Sequence, residues 1–156
     1  MTHTIDTATP DDLAAIAALL PRLAEFEVPE HRAPEDLWHG DRALVQAWGA
    51  GERPDADVRV VRENNTILGV SVVTRGKDLL THVPNAHLEI LAVAPQAEGQ
   101  GVGSALLNAA QAEARRQGLA TMSLHVFSNN QRARRLYEKM GFHGELMRYV
   151  HLLDPS

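Results

Sequence analysis

The stretch from His87 to Leu107, HLEILAVAPQAEGQGVGSALL, constrains this chain more than any other. His87 to Ala94 is a strand-forming run that stops at Pro95, and Gly99, Gly101 and Gly103 follow at alternate positions before an alanine- and leucine-rich helix. Strand, glycine-spaced loop and helix start make an anion cradle. Glycines let backbone N–H groups turn inward with no Cβ in the way, and the first helical turn adds unpaired donors and the positive end of a dipole. A phosphate-bearing ligand is the natural occupant; a glycine-rich turn without a ligand is the plain alternative.

Three phosphate loops share this outline, and the residues separate them. A P-loop requires G-x-x-x-x-G-K-[S/T], and no lysine lies between Lys77 and Lys139. A dinucleotide fingerprint requires a third glycine where Ala105 or Leu106 stands and an acidic residue about twenty positions on, yet no Asp or Glu lies between Glu113 and Glu138. What remains is [Q/R]-x-x-G-x-[G/A], matched by Glu98-Gly99-Gln100-Gly101-Val102-Gly103 except at its first position. With this loop the chain resembles the GNAT acyltransferase superfamily, in which the loop binds the pyrophosphate of acetyl-CoA. A second stretch strengthens the resemblance. Asn130 to Phe142 reads N-x-x-A-x-x-L-Y-x-K-x-G-F, the superfamily's other signature, met at every specified position.

Composition limits the alternatives. The 156 residues include no cysteine, so disulfides, thiolate metal sites and a cysteine nucleophile are excluded together. Eight histidines show no H-x-x-x-H or comparable ligand spacing, and no metal is expected. No apolar run approaches the ~20 residues of a membrane span and no signal peptide is apparent, so the cytoplasm is the expected compartment. Only seven Phe, Tyr and Trp and no basic stripe argue against nucleic acid. Residues 1–86 carry 14 acidic and 8 basic side chains, residues 87–156 only 6 and 7. The acidic half suits a cationic acceptor and the near-neutral half an anionic cofactor; a solvated acidic surface would give the same split.

In chain order, Ile5 to Ala8 predicts a first strand. Thr9-Pro10-Asp11-Asp12 then caps a helix, with Pro21 expected to kink or split it. Pro34-Glu35-Asp36 opens a second helix ending at Gly49 or Gly51, after an acidic connection from Glu25 to His31. Val58–Arg62 and Ile67–Thr74 predict a hairpin through Asn64-Asn65, and Arg75 to Asn85 a long polar connection. The helix after the cradle is expected to bury Val102, Ala105, Leu106 and Ala109, with Thr121–Phe127 and Leu146–Leu153 as further strands.

The resemblance implies an α/β fold in a single domain, 1–156: a mixed, mostly antiparallel sheet of about six strands with helices on both faces. It implies an N-acetyltransferase that moves acetyl from acetyl-CoA to a primary amine of a small molecule or peptide, in a ternary complex. A silent acyl-CoA-binding sensor is the alternative. Backbone N–H groups at Leu91, Ala92 and Val93 would meet the thioester and pantetheine. The loop Gly99, Gln100, Gly101, Val102, Gly103 and Ser104 would hold pyrophosphate, and Asn130 would touch the pantetheine arm. Tyr137 falls on the family's general acid. Glu89, on the central strand, is the preferred general base through water, and His125 the alternative. Strand alternation puts Glu89 on one face with His87, Leu91 and Val93. Glu98 stands where the pattern has Gln or Arg; its carboxylate would repel pyrophosphate and is expected to point to solvent. Because only 14 residues follow Phe142, the site is expected either to stay open or to be completed by a second copy offering its edge strand, in a homodimer.

Overall fold

A computed structural model describes residues 3–154. Its centre is a five-stranded sheet in the order β1-β2-β3-β4-β5: β1 (Ile5–Thr7), β2 (Asp57–Glu63), β3 (Thr66–Lys77), β4 (Pro84–Val93) and β5 (Met122–Leu124). The first four pair antiparallel and β5 pairs parallel to β4. The mixed, mostly antiparallel architecture expected from sequence is present with one strand fewer.

The hairpin forms as predicted, and both turn residues are left-handed, Asn64 at φ 51° and Asn65 at φ 65°. That is the geometry whose twist matches flanking strands. Its arms and those of the next hairpin run longer than expected, so the connection reduces to residues 78–83. Pro21 splits the first helix: α1 (Leu13–Leu19) gives way to a 3-10 turn over Leu20–Ala24. The second helical region likewise begins as a 3-10 turn, Pro34–Leu37, before α2 (His39–Gly49).

Strand alternation divides the core in two. Val58, Val60, Val70, Val72, Ile90 and Ala92 face α1 and α2, meeting Ile16, Leu20 and Val45. Val61 and Leu68 face the other way, toward Val102 and Leu106 of α3 (Val102–Arg116). The buried stripe of α3 is Val102, Leu106, Leu107, Ala110 and Ala114; Ala105 and Ala109 are only half-buried, so the stripe is rotated from the expected one. Helices therefore cover both faces. Gly69 is the closest approach between sheet and helix: a Cβ there would stand 2.6 Å from Val102 Cγ1 and 3.3 Å from the Ala92 carbonyl oxygen. Gly69→Ala is expected to destabilise the fold by about 2 kcal/mol, as overpacking does; urea unfolding would read this as a lower midpoint at unchanged slope.

Two expected strands are shortened or missing. Thr121–Phe127 contributes only Met122–Leu124 to the sheet. Leu146–Leu153 forms no strand, and Leu146, Met147, Tyr149 and Leu153 are between 61% and 89% exposed. They follow α4 (Gln131–Lys139) and pair with neither free edge of the sheet, β1 or β5.

Candidate active site

The site is built on an opening between β4 and β5. The two strands pair only at Ala86–Met122, His87–Ser123 and Leu88–Leu124. Ala94 donates its N–H to the Leu68 carbonyl, 2.8 Å away on the β3 side. Successive peptide groups of a strand point to opposite edges, so Val93 and Leu91 turn theirs to the open edge. The Val93 carbonyl oxygen does so visibly, accepting from Arg22 Nε at 2.9 Å. Leu91 and Val93 thus present backbone groups where the resemblance places the pantetheine arm. Ala92 alternates away: it is paired with Val70, and its side chain is buried in the α1/α2 core.

The glycine loop delivers the start of α3 to the end of this opening. Gly99 (φ 76°) and Gly101 (φ 80°, the helix N-cap) hold left-handed conformations that side chains disfavour. Gln100 lies between them, exposed. The first intrahelical bond runs from Ala105 N–H to the Gly101 carbonyl at 3.0 Å, so the N–H groups of Val102, Gly103 and Ser104 lie in the turn that has no helical acceptor. Val102 itself packs into the core and serves the loop only through its backbone. Gly103 is where a second helix closes down: a Cβ there would lie 3.1 Å from Leu136 Cδ2. These donors and this shape fit a phosphate.

Leu136 carries its neighbour Tyr137 to the same end of the cleft. The Tyr137 ring meets Phe142 edge-on at 6.0 Å between centroids, and Phe142 folds back through its N–H to the Tyr137 carbonyl at 2.9 Å. Burial pushes the Tyr137 phenol up to about 12, so it keeps its proton throughout the neutral range. Asn130 caps α4, its Oδ1 accepting from Ala133 N–H at 3.3 Å. Asn129 Nδ2 donates to the Glu27 carbonyl at 2.6 Å, and Phe26 packs on Phe127 at 5.5 Å. The acidic connection is thereby fastened to the segment that follows β5.

Glu89 departs from the expected alternation. The β3–β4 register shifts between Val72, paired with Ile90, and Val73, paired with Leu88, leaving Glu89 without a partner. This is a bulge, and it separates the faces: Leu91 and Val93 lie against the α3 cluster, whereas Glu89 accepts from Thr74 Oγ1 at 2.8 Å and acts on Asp41 of α2. The carboxylate is exposed rather than buried in an apolar strand. Asp41, which sequence reasoning passed over, is raised to about 6, by burial first and by the charge of Glu89 second. The His125 ring lies tilted at 57° against His87, ring centroids 5.0 Å apart, beside the Ser123 hydroxyl that His87 Nδ1 meets at 2.7 Å. Burial lowers the His87 pKa, and the neighbouring His125 lowers it further against the pull of Glu89.

Glu98 also differs from expectation. It does not point to solvent: its Oε1 receives Arg132 Nη1 at 2.9 Å and an Arg22 Nη2 bond as well. Neither arginine partnership is visible in the sequence, where the residues stand 76 and 34 positions from Glu98. Among the described residues no group of three or more potential metal ligands comes together, and no helix is long and apolar enough to cross a membrane.

Cradle, open strand edge and tyrosine-bearing helix coincide with a match over residues 16–142 to the model of the Acetyltransferase (GNAT) family. The chain belongs to that family. An uncharacterised N-acetyltransferase of Bacillus subtilis is 30% identical over 138 residues, 88% of each chain. A mycothiol acetyltransferase of Beutenbergia cavernae is 33% identical over 149 residues, and there the alignment spans 49% of the longer relative. Among solved structures, one of Pyrococcus furiosus described as an acetyl transferase aligns with TM-score 0.77 at 21% identity, covering 97% of this chain and all of the other. The ribosomal-protein-alanine N-acetyltransferase of Brucella melitensis aligns with TM-score 0.68 at 18% identity, covering 96% and 99%. As a member of this family, with relatives named N-acetyltransferases, the protein is an acyltransferase.

Proposed function

We propose that this acetyltransferase uses acetyl-CoA to acetylate a primary amine of a small, cationic molecule, by direct attack in a ternary complex. The observation that carries the reading is the open edge of β4, where Leu91 and Val93 turn their peptide groups toward the helix start that would hold pyrophosphate. Gly99 to Ser104 bind the phosphates through backbone N–H groups, and Asn130 meets the pantetheine arm through its free amide nitrogen. The N–H groups of the open edge then hold the thioester carbonyl, where negative charge develops as the amine attacks. Glu89, through a water, takes the proton that the amine gives up on forming the C–N bond. Tyr137 donates to the sulfur as the C–S bond breaks, leaving an amide and the free thiol.

The acceptor side supports a cationic amine. Glu89 on β4 has Asp41 of α2 near it, and the acidic connection is tied through the Glu27 carbonyl to Asn129 after β5; an ammonium group gains from such a field before it is deprotonated. The mycothiol acetyltransferase relative favours a small molecule over a peptide. Thiol release from acetyl-CoA across a panel of mono-, di- and polyamines and amino sugars tests this. Turnover rising with acceptor charge is the expected result; tight coenzyme A binding without turnover on any amine would favour a sensor.

The exposed C-terminal residues bear on assembly. Six large apolar side chains from Leu146 to Leu153 are 50% to 89% exposed, and covering them in two copies would remove roughly 1,600 Å², the size of a stable interface. A homodimer joined through this segment should sediment as one species at micromolar concentration, and Val150→Glu should split it. A wild-type chain that stays monomeric would refute the pairing.

A further inference from the structure

Glu98 is the residue at which this chain leaves its family's pattern, and its surroundings account for the departure. Two guanidinium groups reach a single carboxylate oxygen from opposite sides of the cleft: Arg22 from the 3-10 turn after α1, and Arg132 from the first turn of α4. Arg22 is the better buried, its side chain 17% exposed, and it is fully engaged, giving Nε to the Val93 carbonyl and its other terminal nitrogen to Glu25. Arg132 is 70% exposed and has one bond, to an oxygen already shared. The cluster stands directly before the glycine loop, at the mouth of the helix start.

We propose that Arg22 and Arg132 are phosphate ligands of the cofactor cleft and that Glu98 is a built-in counter-anion, which the pyrophosphate of acetyl-CoA displaces. This rests on the reading of the cleft given above. A pyrophosphate seated on Gly99 to Ser104 brings negative charge beside Glu98, and the two anions cannot share the arginines without repulsion. Arginine prefers the planar, paired acceptors that a phosphate offers. The carboxylate, one-third exposed, has solvent to turn into. The two arginines thus replace, from outside the loop, the cationic or neutral donor that the pattern places at position 98. The same carboxylate screens the two guanidinium groups from each other's charge. Arg22 carries the mark of that crowding, since burial and then the Arg132 charge lower its pKa. Arg22 also holds the Val93 carbonyl at the open edge, so its move to phosphate uncovers a backbone acceptor for the arriving pantetheine arm. Loading and unplugging of the cleft become one event.

Calorimetric titration of the whole protein with three probes tests this without requiring turnover. Coenzyme A carries pyrophosphate and arm, 3′-phosphoadenosine 5′-diphosphate carries the pyrophosphate without the arm, and pantetheine the arm without phosphates. Glu98→Gln is expected to tighten coenzyme A and the diphosphate, and Arg132→Ala to weaken both, each on the order of fivefold at low salt and less at high salt. Pantetheine binding should stay within about twofold in both variants. Arg22→Lys should retain more diphosphate affinity than Arg22→Met. Weaker coenzyme A binding by Glu98→Gln, or an equal change with pantetheine, would make the cluster a structural strap and overturn the proposal. Arg132, being exposed, keeps the test open should Glu98 or Arg22 variants fold poorly. Wild-type protein that binds coenzyme A with every variant unchanged defeats the phosphate clamp alone; wild-type protein that does not bind coenzyme A defeats the cofactor reading and the clamp together.

Discussion

Tyr137→Phe is expected to lower kcat on the order of a hundredfold while leaving coenzyme A affinity within about twofold. The variant removes one hydroxyl from a ring that Phe142 and the Leu136 turn hold in place, so the packing of α4 on the cradle survives. What is lost is a proton donor needed when the C–S bond breaks, and removing a positioned general acid typically costs 10²- to 10⁴-fold. The phenol, raised to about 12 by burial, is protonated across any practical pH range. It gives its proton only when a thiolate forms beside it, in surroundings that raise the proton affinity of sulfur as well. An interaction made late in the reaction affects kcat and not ground-state binding. The pH profile of the variant should keep its shape and fall in height, because no titration of Tyr137 contributes to it. Unchanged turnover would remove Tyr137 from the chemistry.

Glu89→Gln should produce the second-largest loss, on the order of thirtyfold near pH 6, shrinking as pH rises toward the acceptor's own pKa. A primary amine with a pKa of ~10.4 is almost wholly protonated at pH 6 and depends on a base; at pH 9 to 10 enough free amine exists to bypass one. Glutamine keeps an oxygen for the Thr74 hydroxyl, 2.8 Å from Glu89 in the structure, so the bulge should persist. The measurement is kcat/KM from pH 6 to 10 in wild type and variant. An equal loss at every pH would mean that Glu89 positions Thr74 and β4 rather than moving a proton. If the loss vanished below pH 6.5, the neighbouring Asp41, raised to about 6, would be the group to replace next.

Most of the glycine loop and of the turns and caps around it was legible in the sequence. Glycines at 99, 101 and 103, with a strand before and a helix after, encode their conformation locally: left-handed φ at Gly99 and Gly101 is a property of residue type. The Asn-Asn hairpin, the Asn130 cap and the split at Pro21 are local in the same way. Leu146–Leu153 shows the limit of such reasoning. Its apolar, strand-like composition is real, but a strand exists only where it pairs with another, and this segment pairs with neither free edge of the sheet, β1 or β5.

The surroundings of Glu89 and Glu98 were poorly legible. Period-2 alternation put Glu89 with Leu91 and Val93, and one unpaired residue in the β3–β4 register undid that. A bulge is set by how two strands fit over their whole length, and nothing in the residues 87–93 announces it. Asp41 on α2 and Arg22 after α1 were invisible for a related reason: their partners, Glu89 and Glu98, come from other elements. Sequence alone therefore determined the elements whose cause is local: the glycine loop, the helix starts and stops, the hairpin turn and the two signatures that carry family membership. Tertiary structure decided the rest, namely which face Glu89 occupies and whether Glu98 meets solvent or two arginines. Those depend on charges and edges brought together across tens of residues, and such distances close only when the core does.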